Sequence, residues 1–85
     1  MIGKYRKKPV IIEACQFTGD NGAELVKFCE GNLKYNGEKD EFTVVTIEGF
    51  KPVPIDYWII KGIQGEFYPC KADIFSQTYE EVIAQ

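Results

Sequence analysis

Hydrophobic and β-branched residues occur along the chain in short runs separated by glycine, asparagine and proline, a pattern typical of a small sheet. The run around which the others are organised spans residues 56–71, and its first half is aromatic and β-branched, which predicts a strand. Gly62 and Gly65 frame a short loop, after which residues 66–68 predict the returning strand. Pro69 lacks a backbone N–H and is expected to end that strand or lie on a sheet edge. We interpret the segment as the central hairpin of a small sheet.

A helical period replaces the strand pattern over residues 21–30. Leu25 and Cys29 fall on one apolar stripe, Asp20 or Asn21 is a suitable N-cap, and a glycine follows as a stop signal. Further strands are predicted at residues 10–17, 33–36, 42–47, 50–53 and 78–83, with one or two helical turns at residues 72–77. This succession predicts an α+β fold in which one helix packs on a small, mainly antiparallel sheet.

The first predicted strand carries apolar residues on both of its faces. Val10 and Ile12 share one face, whereas Ile11 and Cys15 share the other. Such a strand is either central and covered on two sides, or has one face against a helix and the other against a partner. Because a chain of this length buries a thin core and leaves sheet edges open, we expect it to form a homo-oligomer, specifically a dimer.

Composition and charge describe an ordinary globular chain with an asymmetric charge distribution. Its 85 residues predict one domain, residues 1–85, with 45% hydrophobic and 27% charged residues. The net charge of −3 combines +4 over residues 1–8, a basic N-terminal arm, with −7 over the remaining chain. No apolar run approaches the length of a membrane span, so we expect no membrane association.

The three cysteines, Cys15, Cys29 and Cys70, are odd in number and lack paired spacing. That argues against a disulfide framework and against a zinc module, and it favours a reducing cytoplasm. We interpret each cysteine as a small buried apolar residue.

Catalytic chemistry has little support in the sequence. The chain contains no histidine, which removes the commonest general base, the usual metal ligand and every imidazole-dependent triad. Asp56, Glu66 and Asp73 follow no spacing that brings them together, so solvated or turn-capping carboxylates are the simpler interpretation. We therefore predict a protein that is not an enzyme and uses no cofactor or metal.

The basic arm has two interpretations. Lys4, Arg6, Lys7 and Lys8 beside Tyr5 suit nucleic-acid phosphates with an aromatic stack. The other interpretation is a solvated terminus that keeps a sheet edge soluble. We favour the second because the acidic body repels a polyanion.

The aromatic residues in and after the hairpin also have two interpretations. Most of them are expected in the core, namely Trp58, Phe67 and Phe75. A concave surface suited to a nucleotide, with rings for the base and charges for the phosphates, would instead use Tyr57, Lys61, Tyr68 and Lys71. The alternating pattern permits both arrangements.

Two blocks of the sequence resemble a widespread family of small proteins encoded by tailed bacteriophages and prophages. The first runs from Lys4-Tyr5-Arg6-Lys7-Lys8-Pro9-Val10 to Glu13-Ala14 and Gln16-Phe17-Thr18-Gly19. The second is Asp56-Tyr57-Trp58-Ile59-Ile60-Lys61-Gly62, with Gly65-Glu66-Phe67-Tyr68-Pro69-Cys70-Lys71, Asp73-Ile74-Phe75 and Thr78-Tyr79-Glu80. Family members often have a Pro-Gly-Asp turn where this chain has Pro54-Ile55-Asp56. The resemblance implies a phage origin and an infected-cell setting.

These observations lead to a ranked set of functional hypotheses. The first is a small, non-enzymatic phage accessory protein that acts by binding in the cytoplasm of an infected or lysogenic bacterium, inhibiting a host factor or sequestering a small nucleotide-like ligand. The second is a nucleic-acid-associated protein that uses the basic arm. The third is a minor structural component of the virion.

Overall fold

The computed structural model describes residues 1–83, which form six strands and two short helices. In chain order the elements are β1 (Glu13–Gln16), α1 (Gly22–Phe28), β2 (Leu33–Asn36), β3 (Glu41–Thr46), β4 (Gly49–Val53), β5 (Trp58–Lys61), β6 (Phe67–Cys70) and α2 (Ala72–Thr78). The predicted α+β class is confirmed, and so is a helix near residues 21–30. No helix within these residues is long and apolar enough to cross a membrane.

The strands form two antiparallel sheets of three strands each, where the sequence predicted one sheet. The first sheet has the order β1-β5-β6, and the second has the order β2-β3-β4. In the second sheet each strand pairs with its neighbour in sequence through a short turn. In the first sheet β1 pairs with β5, although α1 and the whole second sheet lie between them in the sequence. Alternation of apolar and polar residues predicts a strand but does not specify which other strand it pairs with. The division of the strands into two sheets could therefore not be predicted.

The structure places β5 at the centre of the first sheet and β1 at its edge. Ile59 and Ile60 point to opposite faces of β5 and are both buried. Strands β5 and β6 pair as the predicted hairpin, and β5 is the central strand of its sheet. A central position for β1 is wrong, because β1 lies at the edge of that sheet. Helix α1 packs on β1, which agrees with the helix half of the second alternative for that strand. A partner against the other face, and the expected dimer, stay predictions.

The main core lies between the two sheets and α1. Its buried members are Leu25, Cys29, Val44, Val53, Ile59 and Phe67. In the first sheet Cys15, Ile59 and Pro69 lie opposite one another, so one face of each strand is directed at this core. The ring of Phe28 meets that of Phe67 edge-on, with centroids 5.8 Å apart. Burial of these side chains is the main source of stability in a chain of this size.

Helix α2 covers the other face of the first sheet through a ladder of aromatic rings. Trp58 and Phe75 stack with centroids 4.1 Å apart and an interplanar angle of 7°, and Tyr79 lies 5.0 Å beyond Phe75. The Lys7 ammonium donates a hydrogen bond to the Tyr79 hydroxyl at 3.1 Å and lies 4.8 Å from the ring centroid. Residues 79–83 contain no strand, so the strand predicted at residues 78–83 is wrong. Tyr79 instead joins the basic arm to α2.

Helix α1 starts and ends slightly inside its predicted limits. Asn21 occupies the N-cap position, but its side chain bonds to β1 and Glu24 rather than to the helix N–H groups. At the other end Glu30 and Gly31 both have positive φ angles, 51° and 89°, which stops the helix.

The turn before β5 holds Asp56 in the left-handed region, with φ at 76°. The Tyr57 N–H donates to the Pro54 carbonyl at 3.1 Å, so Asp56 is the third residue of a tight turn, a position that favours glycine. The glycine of the family's Pro-Gly-Asp turn would stand one residue earlier.

Glycine at this position is expected to relieve backbone strain. We expect Asp56→Gly to raise the free energy of unfolding by about 0.5 kcal/mol, because the gain in the turn exceeds the extra entropy of the unfolded chain. Asp56→Val, which places a β-branched residue at positive φ, is expected to lower it by about 1–2 kcal/mol. Urea denaturation of the three proteins measures both changes, and equal midpoints for the glycine and valine variants would contradict the strained turn.

Candidate functional site

A cleft of about 450 Å³ opens between the β3–β4 hairpin and β6, where the two sheets meet. Its lining residues are Thr46, Ile47, Glu48, Lys51, Glu66, Phe67, Tyr68 and Pro69. The volume lies within the range of small-molecule sites in proteins, and such sites form preferentially where structural units meet.

The β3–β4 turn forms one wall and is fixed by Thr46. The Thr46 hydroxyl donates to the Gly49 carbonyl at 2.8 Å and accepts the Glu48 N–H at 3.0 Å, while Gly49 adopts a φ of 103°. These contacts hold the turn so that Ile47, 88% exposed, stands at the rim of the cleft. Lys51 follows on β4 and lines the same wall.

The opposite wall is β6 and the loop that precedes it. The Gly62 N–H donates to the Glu66 carbonyl at 2.7 Å, and the Glu66 carboxylate accepts the Gln64 N–H at 3.1 Å. A Cβ atom at Gly62 would overlap the Glu66 carboxylate, so the glycine permits this closure. Phe67, 4% exposed, anchors the wall in the core.

Tyr68 is the aromatic residue that lines the cleft without belonging to the core. Burial, followed by the neighbouring Tyr79 hydroxyl, raises the pKa of Tyr68 to about 12. The same contact, together with Lys7, lowers the pKa of Tyr79. The Tyr68 hydroxyl is protonated at neutral pH, as an ordinary tyrosine hydroxyl is, and it lies beside the Tyr79 hydroxyl.

The charges along the cleft constrain what it can hold. Glu48 and Glu66 supply two carboxylates, and Lys51 supplies one ammonium group. A polyphosphate would meet more repulsion than attraction here, whereas a planar molecule with one negative group can pair with the lysine and present hydrogen-bond donors to the acids.

The four residues predicted as a ligand surface lie in different places. Tyr57 packs against the core, and Lys61 forms an ion pair with Glu30 at 3.4 Å. Tyr68 pairs with Ile60, so it lies on the face of the first sheet opposite to that of Lys61. Lys71 is exposed just before α2. The strand register thus separates these residues, and only Tyr68 reaches the cleft. A ligand-binding role for the other three stays a prediction.

The predicted arm residues are all exposed. Lys7 contacts the hydroxyl and the ring of Tyr79, so one of the four basic residues of the arm is bound to the residue that follows α2. Nucleic-acid binding by the arm, including Lys4, Tyr5, Arg6 and Lys8, stays a prediction.

Two of the cysteines, Cys15 and Cys29, lie beside α1, and the pKa of each thiol is raised. The Cys15 thiol donates to a Glu24 carboxylate oxygen at 3.6 Å, and burial together with that carboxylate raises the pKa of Cys15 to about 11. Burial raises the pKa of Cys29 to about 11 as well. Little thiolate is present at neutral pH, which fits a packing role.

The three carboxylates considered in the sequence serve separate local roles. Asp56 lies in the turn before β5, Glu66 lines the cleft, and Asp73 accepts the Ile74 N–H at 2.9 Å in the first turn of α2. Throughout residues 1–83, no group of three or more His, Cys, Asp or Glu side chains is placed to hold a metal ion.

Sequence reasoning missed most of the cleft. Thr46, Ile47, Glu48 and Lys51 belong to a hairpin that meets β6 only through the packing of the two sheets. The signal in the sequence was the pair Glu48-Gly49, which is typical of a turn and directly follows Ile47, so that this isoleucine lies at the tip of a hairpin.

The two blocks that carry the phage-family resemblance fold together. Residues 4–19 and 56–80 supply the arm, all three strands of the first sheet and α2, whereas α1 and the second sheet come from the intervening chain. No protein-family model, curated protein or solved structure matches the chain. The family resemblance therefore stays a prediction.

Proposed function

We propose that this protein is a small accessory protein of a tailed phage or prophage that acts by binding, and that it captures a small nucleotide-like molecule in the cleft between the β3–β4 hairpin and β6. The observation that supports this proposal is the placement of Tyr68 and Lys51 on opposite walls of that 450 Å³ cleft. The expected setting is the cytoplasm of an infected or lysogenic bacterium.

The chemistry of the walls defines the class of ligand. An aromatic base would stack on or against Tyr68, and a single phosphate would pair with Lys51. Glu48 and Glu66 would accept hydrogen bonds from exocyclic amino groups and would repel additional phosphates. A nucleoside monophosphate fits these requirements better than a nucleoside triphosphate does.

Binding is expected to depend on both walls. Loss of a base-stacking ring costs about 1–3 kcal/mol, so Tyr68→Ala should weaken binding about tenfold or more, and Tyr68→Phe should weaken it less because the ring remains. Lys51→Ala should also weaken binding, whereas Lys34→Ala, an exposed lysine on β2, provides the matched control. Calorimetric titration with nucleoside monophosphates and triphosphates measures these affinities.

Purification from infected cells provides the search for the natural ligand. Wild-type protein and the Tyr68→Ala variant are isolated in parallel, and their bound small molecules are compared by mass spectrometry. A molecule retained by the wild type and lost from the variant supports the proposal. Equal small-molecule content in both, with a captured host protein instead, would transfer the function to inhibition of that host factor.

A second candidate function is nucleic-acid binding by the arm, favoured by the exposure of Lys4, Arg6 and Lys8. In that case affinity should fall steeply with added salt, and removal of residues 1–8 should abolish binding while the fold remains. We expect no appreciable binding of duplex DNA near physiological salt, because −7 over the body opposes +4 on the arm. Mass spectrometry of purified particles tests the remaining candidate, a minor virion component.

A further inference from the structure

The carboxylate of Glu66 is held in a fixed position at one wall of the cleft. Glu66 directly precedes β6, and its carbonyl accepts the Gly62 N–H at 2.7 Å, which continues the pairing of β5 with β6 by one residue. Its carboxylate accepts the Gln64 N–H at 3.1 Å and covers Gly62, where a Cβ atom would overlap it. A carboxylate has about four acceptor sites, so one backbone N–H leaves both oxygens able to accept further hydrogen bonds.

The Glu66 carboxylate and the Tyr68 ring lie side by side. One residue separates the two in the sequence, and because side chains alternate along a strand, both lie on the same face. Burial and the Tyr79 hydroxyl are the main causes of the raised pKa of Tyr68, and the Glu66 carboxylate adds to it, which requires the two groups to be close. Both residues line the cleft. A base stacked on Tyr68 would therefore turn one of its edges toward Glu66.

The common nucleobases differ in how their edges meet a carboxylate, which only accepts hydrogen bonds. Guanine presents two adjacent donors, its N1–H and its N2 amino group, one for each carboxylate oxygen. Adenine and cytosine place an amino donor beside a ring nitrogen that is an acceptor, so one contact attracts and the other repels. Uracil and thymine place a single N–H between two carbonyl oxygens. Guanine is thus the base whose edge satisfies both oxygens of a carboxylate.

We propose that the cleft selects guanine, and that Glu66 determines this specificity by accepting hydrogen bonds from the N1–H and the N2 amino group of the base. The ligand then narrows from nucleoside monophosphates in general to guanosine monophosphate, with Tyr68 against the base and Lys51 at the phosphate. This inference rests on the function proposed above, since it requires that the cleft binds a nucleotide.

Glu48, the other carboxylate of the cleft, is not expected to set the preference. It is exposed at the tip of the β3–β4 hairpin, on the wall opposite to Tyr68. The Thr46 hydroxyl holds the backbone N–H of Glu48, whereas in Glu66 the carboxylate itself is held. An acceptor that is already oriented loses less conformational entropy when a ligand binds, which favours Glu66.

Calorimetric titration of the wild-type chain with different nucleoside monophosphates tests the preference. Guanosine monophosphate is expected to bind about tenfold more tightly than adenosine or cytidine monophosphate, because in the latter two a hydrogen bond to a charged acceptor is replaced by a repulsive contact. Inosine monophosphate keeps the N1–H but lacks the N2 amino group, so it should bind with intermediate affinity.

Glu66→Gln tests whether this residue is responsible. Glutamine keeps an oxygen for the Gln64 N–H, but it places an amide donor where guanine also has a donor. The variant should bind guanosine monophosphate about tenfold more weakly than wild type and should bind adenosine monophosphate at least as tightly. Glu38→Gln, the same substitution at an exposed position outside the cleft, is the matched control and should bind as wild type does. Circular dichroism checks that both variants keep the fold.

The outcomes separate this inference from the function on which it rests. Equal affinity of the wild-type chain for guanosine, adenosine and cytidine monophosphates would overturn the guanine preference and leave the proposed function standing. A preference that survives in Glu66→Gln, or that is lost in Glu48→Gln instead, would overturn the role of Glu66. If none of the monophosphates binds, the proposed function fails and the inference fails with it.

Discussion

Ile59→Ala is expected to lower the free energy of unfolding by about 3–4 kcal/mol, the largest effect of any single truncation considered. Ile59 is 0% exposed and lies in the central strand, where Cys15 and Pro69 flank it and the second sheet and α1 cover it. Alanine would leave a cavity where all parts of the core meet. Because domains of this size are marginally stable, that loss removes a large share of the total.

Ile63→Ala supplies the control for this prediction, since the same atoms are removed from a side chain that is 72% exposed. Its midpoint in urea should stay within about 0.5 kcal/mol of wild type. Similar losses for the two alanine variants would mean that the two sheets do not share the core described here. The slope of the transition should be unchanged in both variants, since each alters stability rather than the surface exposed on unfolding.

Trp58→Ala is expected to cost about 3 kcal/mol, at the low end for tryptophan because the ring is only partly buried. Trp58 holds α2 by stacking on Phe75, and Phe75 in turn positions Tyr79, which binds Lys7. Loss of the indole ring should therefore loosen α2 and release the arm. Amide hydrogen exchange should increase in α2 more than in α1.

Two further variants separate stacking from general hydrophobicity. Trp58→Phe keeps a ring against Phe75 and should lose less than half as much stability as Trp58→Ala. Phe50→Ala removes a ring that is 66% exposed on the outer face of the second sheet and should have little effect. A denaturation midpoint for Trp58→Ala equal to that of Phe50→Ala would place the tryptophan outside the packed structure.

Local features of the fold could be predicted from the sequence because local chemistry determines them. The hairpin at residues 56–71 follows from β-branched and aromatic residues on either side of a glycine-framed loop, and Gly65 adopts the positive φ, 81°, that such a loop requires. The pairing of β1 with β5 could not be predicted, because the sequence pattern of a strand does not specify which other strand it pairs with. Burial of both Ile59 and Ile60 is what identifies the central strand, and that becomes apparent only after the sheets pack.

The candidate site was less accessible from sequence than the fold. Tyr68 was identified because aromatic residues beside a turn are candidates for stacking. Lys61 was expected beside it, but its register position turns it to the other face, where it meets Glu30. The lysine that lines the cleft with Tyr68 is Lys51 and not Lys61. Lys51 lies there because the β3–β4 hairpin packs against β6, a contact between residues far apart in the chain. Only the packing of the two sheets brings these side chains together.

The most direct test of the cleft as a binding site is a titration of amide chemical shifts with a nucleoside monophosphate. We expect saturable shifts confined to residues 46–51 and 66–69, the two walls of the cleft, and expect them to disappear in the Tyr68→Ala variant. Shifts centred on residues 4–8 would instead indicate binding by the arm. An absence of saturable shifts at the cleft across the common nucleotides would contradict the proposed function.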